Sequence, residues 1–539
     1  MLALPKRSVR WLPLAISCLL TLTAGCFLIP YAGIQMDEAL FAGPYYQPVS
    51  REFRLRMFHH DIPLMIMTYI GTAKTLLYWP LIAIFRSTFA AHPRAAAWVF
   101  RLPVVLAAAL TVFVFFYLTE RATSRRAAIV AALLLASDPT FLLTNTFDWG
   151  PVALEHLFLV TGSFFLLKFA QNGIERYLPC GFFFLGLALW NKAVFVWALA
   201  GLTLAVVSVF GREVAKTVTR RHLALAVAGF LLGCLPFAIY NGHRRMETFR
   251  STAHLQPSGA PAKFIHVRSA LGGYGLYGYI VSEEYTDSPK PAVSFPGRVA
   301  SFLRDHLGEH RGAGMEYAAL LALLAVPLWW RSRAAWFCLI FSGVAWFLMA
   351  STKDAGASLH HTVLLWPFPQ MFVAIAISRM PWRWLAGAVC LLLVALNLLT
   401  LAQYISQFER NGAEGPFTDA IYPLSAAVAE IPGQTVYLLD WGIELPLAVL
   451  HDGRLRMRSG HDPLMSDTPS DWDRDTAGRM FRDPGALFLR HVEKRENFTG
   501  VAKRFDERSA AAGCQKTNFK TIPDSNGRPV FEMFQLSCP

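Results

Sequence analysis

Residues 11–33 read WLPLAISCLLTLTAGCFLIPYAG, and Met36-Asp37-Glu38-Ala39-Leu40-Phe41-Ala42-Gly43 follows almost at once. The first run is apolar and long enough to cross a bilayer, which takes roughly 20 residues. Two adjacent acids stand at its far end. Ionisable groups at membrane depth are costly to place, and they line cavities or pathways. The rest of the chain is therefore read as a frame that holds Asp37 and Glu38 against a lipid-borne substrate.

Composition supports a membrane frame. Apolar residues make up 54% of the 539 and charged residues only 16%. So many near-span apolar runs exclude a single anchor carrying a soluble enzyme. The net charge of +13 does not indicate a nucleic-acid partner, because no basic, aromatic-interleaved module is present. Short basic loops that set membrane orientation account for it. Six of the eight cysteines, Cys18, Cys26, Cys180, Cys234, Cys338 and Cys390, sit in apolar runs and read as small hydrophobes. Cys514 and Cys538 lie in a polar tail; outside the cytoplasm they would suit a disulfide.

Topology follows from charge. Lys6, Arg7 and Arg10 put the N-terminus in the cytoplasm. Leu22-Thr23-Ala24-Gly25-Cys26 resembles a lipoprotein cleavage box, but the apolar run continues through Phe27-Leu28-Ile29, so an uncleaved helix is expected. Asp37 and Glu38 then lie outside. Residues 35–98 form a first external loop, polar and irregular to Asp61, then amphipathic and interfacial from Pro63 to Phe85. The basic loop Glu120 to Arg126 belongs inside, so the next run, ending at Thr146, delivers Asp148 to the outer face. Further runs are interrupted at Asn191-Lys192, a break of the kind that surrounds sites in membrane helices. Residues 241–315 form a second large external loop, and about eleven spans end near residue 405. Residues 406–539 lose the apolar runs. Strands are expected at Thr435 to Leu439, Ala486 to Leu489 and Val530 to Leu536, in a small external α/β domain with weak helical signal. The Asn497-Phe498-Thr499 triplet is a glycosylation pattern that chance supplies often.

Asp37, Glu38, Asp148, Lys192, His360 and His361 thus reach one face from independent loops. Any one of them could be a helix-end residue wetted by interfacial water. The convergence of Asp37 with Asp148 favours a site. The same residues carry a resemblance. Met36-Asp37-Glu38-Ala39, Asp61-Ile62-Pro63-Leu64, Arg101-Leu102-Pro103, Phe147-Asp148, Trp190-Asn191-Lys192 and Ser351-Thr352-Lys353 with His361 to Pro369 occur in the order seen in the GT-C superfamily of membrane glycosyltransferases. More narrowly, residues 11 to 405 resemble glycosyltransferase family 39, which includes protein O-mannosyltransferases and lipid A aminoarabinose transferases. Leu40 and Phe41 replace the Arg and Tyr that many relatives carry, and Ile62 stands where the aminoarabinose branch has Lys.

The resemblance implies a polytopic α-helical GT-C fold with a transmembrane glycosyltransferase domain over 1–405, external juxtamembrane helices, and an external domain over 406–539. It implies transfer of a sugar from a polyprenyl phosphate to a hydroxyl of a lipid, glycan or protein acceptor, with inversion. Such chemistry needs a base for the acceptor and cations for the departing phosphate. Asp37 is the expected base, with Glu38 and Asp148 orienting the acceptor. Lys192, Arg54, Arg56, His60, Lys74, Arg244 and Arg245 are candidates for the phosphate, and His360 and His361 for substrate. No cofactor is obligatory, although the carboxylate oxygens would suit Mg²⁺ or Mn²⁺. The rival is a transporter or lipid flippase, which would also keep membrane carboxylates and broken helices. A structural or sensory membrane protein leaves the convergence of Asp37 and Asp148 unaccounted for.

Overall fold

The first apolar run is a helix, α1 (Ser8–Leu28), ended by a tight turn at Ile29–Tyr31. The structure, a computed structural model, describes residues 8–46, 52–57, 60–147, 150–252, 254–284, 291–353 and 358–539. Beyond the turn, a short helix α2 (Met36–Leu40) begins where the Gln35 side chain accepts the Asp37 N–H at 2.7 Å.

The region expected to be irregular to Asp61, then amphipathic from Pro63, is built differently. Strands β1 (Phe53–Met57), β2 (His60–Met67) and β3 (Ile70–Gly71) form an antiparallel sheet in that order. The helix starts only at α3 (Ala73–Ala91). The Thr72 hydroxyl ties its start back to the Pro63 carbonyl at 2.7 Å. Helix α3 buries Lys74, Tyr78, Ile82 and Phe89, yet its opposite face is also apolar, with Leu76, Trp79 and Ile84 exposed. Apolar residues on both faces suit a helix packed on protein on one side and on lipid on the other.

The spans follow. Helix α4 (Pro93–Ala122) leaves Leu102, Leu106, Leu110 and Phe113 exposed as one stripe at helical spacing. Helices α5 (Arg125–Ser137) and α6 (Pro139–Thr146) meet at Asp138, which caps α6 by accepting the Phe141 N–H at 2.9 Å. Next come α7 (Val152–Asn172), α8 (Tyr177–Asn191), α9 (Val196–Thr217), α10 (Arg220–Gly233) and α11 (Leu235–His243). The stretch 241–315, expected as a second external loop, is not structureless. It carries α12 (Glu247–Thr252), α13 (Ala260–Gly272) and α14 (Phe295–Leu307). Then follow α15 (Met315–Leu324), α16 (Val326–Trp329), α17 (Arg333–Ala350), α18 (Leu359–Thr362), α19 (Phe368–Ser378) and α20 (Arg383–Asn411).

Among the described residues, six helices are long and apolar enough to cross a membrane, or nine segments if each bent pair is one span. The bends of 57° between α5 and α6, 72° between α10 and α11, and 47° before α19 fall at Pro139, Pro236 and Pro367, which cannot continue a helix without loss of a hydrogen bond. The shorter apolar helices α8 and α15 occupy the remaining places where the sequence expects spans. The chain is a polytopic helical membrane protein.

After α20 comes α21 (Ile421–Ala429), then an α/β unit: β4 (Thr435–Leu438), α22 (Glu444–Leu450), β5 (Arg456–Ser459), α23 (Asp471–Phe481), β6 (Leu487–His491), α24 (Val501–Ala511), β7 (Gln515–Pro523) and β8 (Pro529–Ser537). The sheet order is β5-β4-β6-β8-β7, parallel through its first three strands and antiparallel after β6. Strands β5 and β7 and helices α21 to α24 lie where the sequence offers little signal. Cys514 and Cys538 are bridged. This unit does not stand apart. Leu445, Leu447 and Val449 of α22 share one apolar core with Ala39, Leu40 and Phe41 at α2.

Candidate active site

The geometry around Asp37 begins with a buried ion pair. Arg101, on α4, meets Glu38 with two bonds, Nε to Oε1 and Nη2 to Oε2, each 2.9 Å. The same guanidinium donates to the carbonyls of Ile29, Ala32 and Gly33 at 2.6–2.8 Å. Both side chains have no solvent exposure. A planar five-donor fork is the side chain able to close the end of α1, the turn and α2 at once. Glu38 was expected to orient the acceptor, but both its oxygens hold Arg101. It tethers α2 to α4, and the neighbouring carboxylate, Asp37, takes no part in that pair.

Asp37 is half-buried. Shielding from water holds its carboxyl above the ordinary carboxylate range, while the charges of Lys192 and Lys74 pull against that rise. Both lysines are buried. The Lys74 ammonium lies 4.4 Å from the Phe41 ring centre and 5.2 Å from that of Tyr78. Lys192 stands where α8 stops. Its backbone is extended (φ −153°, ψ 115°), and the following residue, Ala193, donates its N–H to the Tyr69 carbonyl at 2.9 Å. The turn between β2 and β3 therefore fixes the break after α8. The approach is close enough that a Cβ on Gly71 would overlap the Trp190 carbonyl. The Lys192 charge reaches Asp37, Glu155, His360 and His361, so these groups share one electrostatic neighbourhood.

His360 and His361 are half-buried on α18, with ring centres 4.2 Å apart. Ser358 Oγ bonds His360 Nδ1 at 2.9 Å, while His361 Nδ1 has no hydrogen-bond partner among the described residues. Asp148 and the side chain of His60 lie outside the described residues. The chain resumes at Gly150 in a left-handed turn (φ +72°), where a Cβ would stand 3.2 Å from Lys192 Nζ.

The first-loop arginines are placed elsewhere. Arg54 is held by Glu52 at 2.8 Å and by the Pro44 carbonyl. Arg56 is exposed opposite Asp61 in the hairpin. Arg244 and Arg245 lie exposed in the turn after α11, with Arg244 over the Phe53 ring at 5.8 Å. The charges that act on Asp37 are those of Lys192 and Lys74. Among the described residues no group of three His, Cys, Asp or Glu could hold a metal ion. Glu38, one of the expected ligands, is committed to Arg101.

Sequence reasoning missed Arg101 as a site component and missed Glu155 altogether. Glu155 is fully buried in the first turn of α7 and accepts from Asn191 at 2.6 Å. A carboxylate at the mouth of an apolar run was the available signal.

Residues 76–240, under a third of the chain, match the family model described as dolichyl-phosphate-mannose-protein mannosyltransferase. That segment contains Arg101, Asp148, Glu155 and Lys192. No curated protein matches the chain significantly by sequence. Among solved structures, ArnT from Cupriavidus metallidurans bound to undecaprenyl phosphate is 12% identical with a TM-score of 0.56, and the match covers 98% of each chain. The apo form is 14% identical with a TM-score of 0.55. The Archaeoglobus fulgidus oligosaccharyltransferase with Zn and sulfate is 14% identical with a TM-score of 0.51, over 98% of this chain and 73% of that one. These likenesses give the fold, which is the GT-C fold that the motifs resemble.

Proposed function

We propose that this chain, a polytopic membrane protein with the GT-C fold, is a glycosyltransferase that moves a sugar from a polyprenyl phosphate to an acceptor hydroxyl at the outer face of the membrane. The observation that carries this reading is Asp37, a carboxyl held above its ordinary range and flanked electrostatically by two buried lysines. A general base works best when its pKa approaches the working pH. Buried cations stabilise a phosphate that gains charge as it leaves. Asp37 takes the acceptor proton, the acceptor oxygen attacks the anomeric carbon, and the polyprenyl phosphate departs towards Lys192 and Lys74. A single displacement inverts the anomeric centre. Asp148 orients the acceptor, and His360 and His361 line its approach.

The donor class rests on two supports. The matched family model carries a dolichyl phosphate sugar in its description, and one structure of the same fold holds undecaprenyl phosphate. No step is assigned to a metal, since Glu38 is engaged by Arg101. An external C-terminal domain fits the Cys514–Cys538 bridge, because disulfides persist in oxidising compartments. Basic loops such as Arg121 to Arg126 then face the cytoplasm, as does the N-terminus.

The three bent helix pairs are the observation that favours the transporter or flippase reading. Lipid extraction tests the donor lipid directly. Protein purified in detergent should carry polyprenyl phosphate or its glycoside, identified by mass spectrometry. A preparation that carries neither, and binds no undecaprenyl phosphate when offered it, overturns the proposal.

A further inference from the structure

We propose that the C-terminal unit positions Asp37, through the stretch that joins it to α20. The inference rests on the reading of Asp37 as the base. Two partners grip the turn that leads into α2. Arg101 takes the carbonyls of Ile29, Ala32 and Gly33. The second partner is the tight turn Gly415–Phe417 with Thr418 behind it. The Gly33 N–H donates to the Phe417 carbonyl at 2.8 Å. A Cβ on Gly33 would overlap the Thr418 carbonyl, so the two backbones touch. Gly33 is therefore bound through both its backbone groups, its carbonyl by α4 and its N–H by the joining stretch. Two residues on, Gln35 caps α2 at the Asp37 N–H, so little free chain separates the gripped residue from the carboxylate. The grips also meet each other. The Phe417 and Phe147 ring centres lie 6.2 Å apart, and Phe147 lies 5.0 Å from the Arg101 guanidinium.

The joining stretch is in turn held by the C-terminal unit. Arg495, just after β6, donates to Glu414 Oε1 at 2.9 Å and to Glu284 Oε2 at 2.5 Å. From the turn between β7 and β8, Asn526 Nδ2 donates to the Arg410 carbonyl at 2.7 Å and Arg528 Nη2 to the Ala413 carbonyl at 3.1 Å. The Ser525 N–H donates to Asp419 at 3.0 Å. The unit thus brackets residues 410–419, and its α22 adds the apolar contact with Ala39, Leu40 and Phe41. Lys192 is fixed by other means, the Ala193 N–H on the Tyr69 carbonyl at 2.9 Å. Base and lysine therefore have separate supports. Loosening the first should disturb the carboxylate and spare the lysine, because sites without shared partners respond independently.

The test compares full-length wild type with Arg495→Met in detergent. Hydrogen exchange at Gly33 and through α2 should be about five- to tenfold faster in the variant, the change that loss of about one hydrogen bond brings to local opening. Affinity for undecaprenyl phosphate should stay within about twofold of wild type. The share of co-purified polyprenyl phosphate that still bears sugar should rise, since transfer is slowed while binding is kept. Arg495→Lys keeps a cation at the same place and should recover much of both effects. Unchanged exchange at Gly33 and α2 overturns the proposal, and so does a loss of lipid affinity in step with the loss of transfer, which is what general destabilisation would give. If Arg495→Met does not fold, Asn526→Ala removes one bond to the same stretch and is held to the same outcomes. Wild type that carries no polyprenyl lipid would remove the proposed reaction, while the exchange result still decides whether the unit holds Gly33.

Discussion

Glu38 and Arg101 form a two-bond ion pair, both bonds 2.9 Å, with neither side chain exposed to water. Glu38 is therefore committed to a structural pair. Breaking a buried pair leaves the other charge unpaired, at a cost of about 3–5 kcal/mol. Glu38→Gln should lower the thermal unfolding temperature markedly and impair expression. A variant of unchanged stability that loses turnover would return Glu38 to a direct role.

Gly150 adopts φ +72° with Lys192 Nζ beside it. Gly150→Ala should strain the backbone by about 1–2 kcal/mol and displace the lysine. The expected result is weaker binding of undecaprenyl phosphate with a modest drop in melting temperature. Unchanged affinity would place the phosphate away from this turn.

Asp138 ties two broken helices together. Its Oδ2 accepts from Trp366 Nε1 at 3.0 Å and Gln370 Nε2 at 2.8 Å, while Oδ1 caps α6. Asp138→Ala leaves these buried donors unpaired, each costing about 1–3 kcal/mol. Hydrogen exchange should show faster opening of α6 and of the start of α19 together. Opening of α6 alone would argue against a shared clasp.

The C-terminal unit should be acid-sensitive. Asp440 is buried, which raises its pKa, but His491 at 2.6 Å and the N–H groups of Asn497 and Phe498 outweigh this and lower it overall. A carboxyl lowered on folding stabilises above its unfolded value of about 3.9, and that stability fades as pH falls through the folded value. Amide protection in β4 and β6 should therefore drop below about pH 4 in wild type. In Asp440→Asn it should be lower at neutral pH and nearly flat with acid. A wild-type acid profile in that variant would contradict the assignment.

The spans were legible because a bilayer demands long apolar runs, and the break at Asn191-Lys192 was legible because polar residues interrupt one. The hairpin over 53–71 was not. Its strands are short, and Arg54, Arg56 and Asp61 mask any alternation. The pairing of Glu38 with Arg101 joins residues far apart in sequence, and no local pattern announces it. Strand β7 is an edge strand with mostly exposed side chains, so it lacks the apolar signature that marked β4, β6 and β8. Arg54 and Arg56 looked apt for phosphate by charge alone. Their placement was decided by Glu52 and the hairpin register, which only the fold supplies.

The central claim is that Asp37 is the base for transfer from a lipid-phosphate sugar. Its most direct test is mass spectrometry of lipids bound to detergent-purified wild type and Asp37→Asn. The account predicts that the variant folds and retains glycosylated polyprenyl phosphate, while wild type holds mainly the free phosphate. Equal fractions in the two proteins, with turnover preserved in Asp37→Asn, would contradict it.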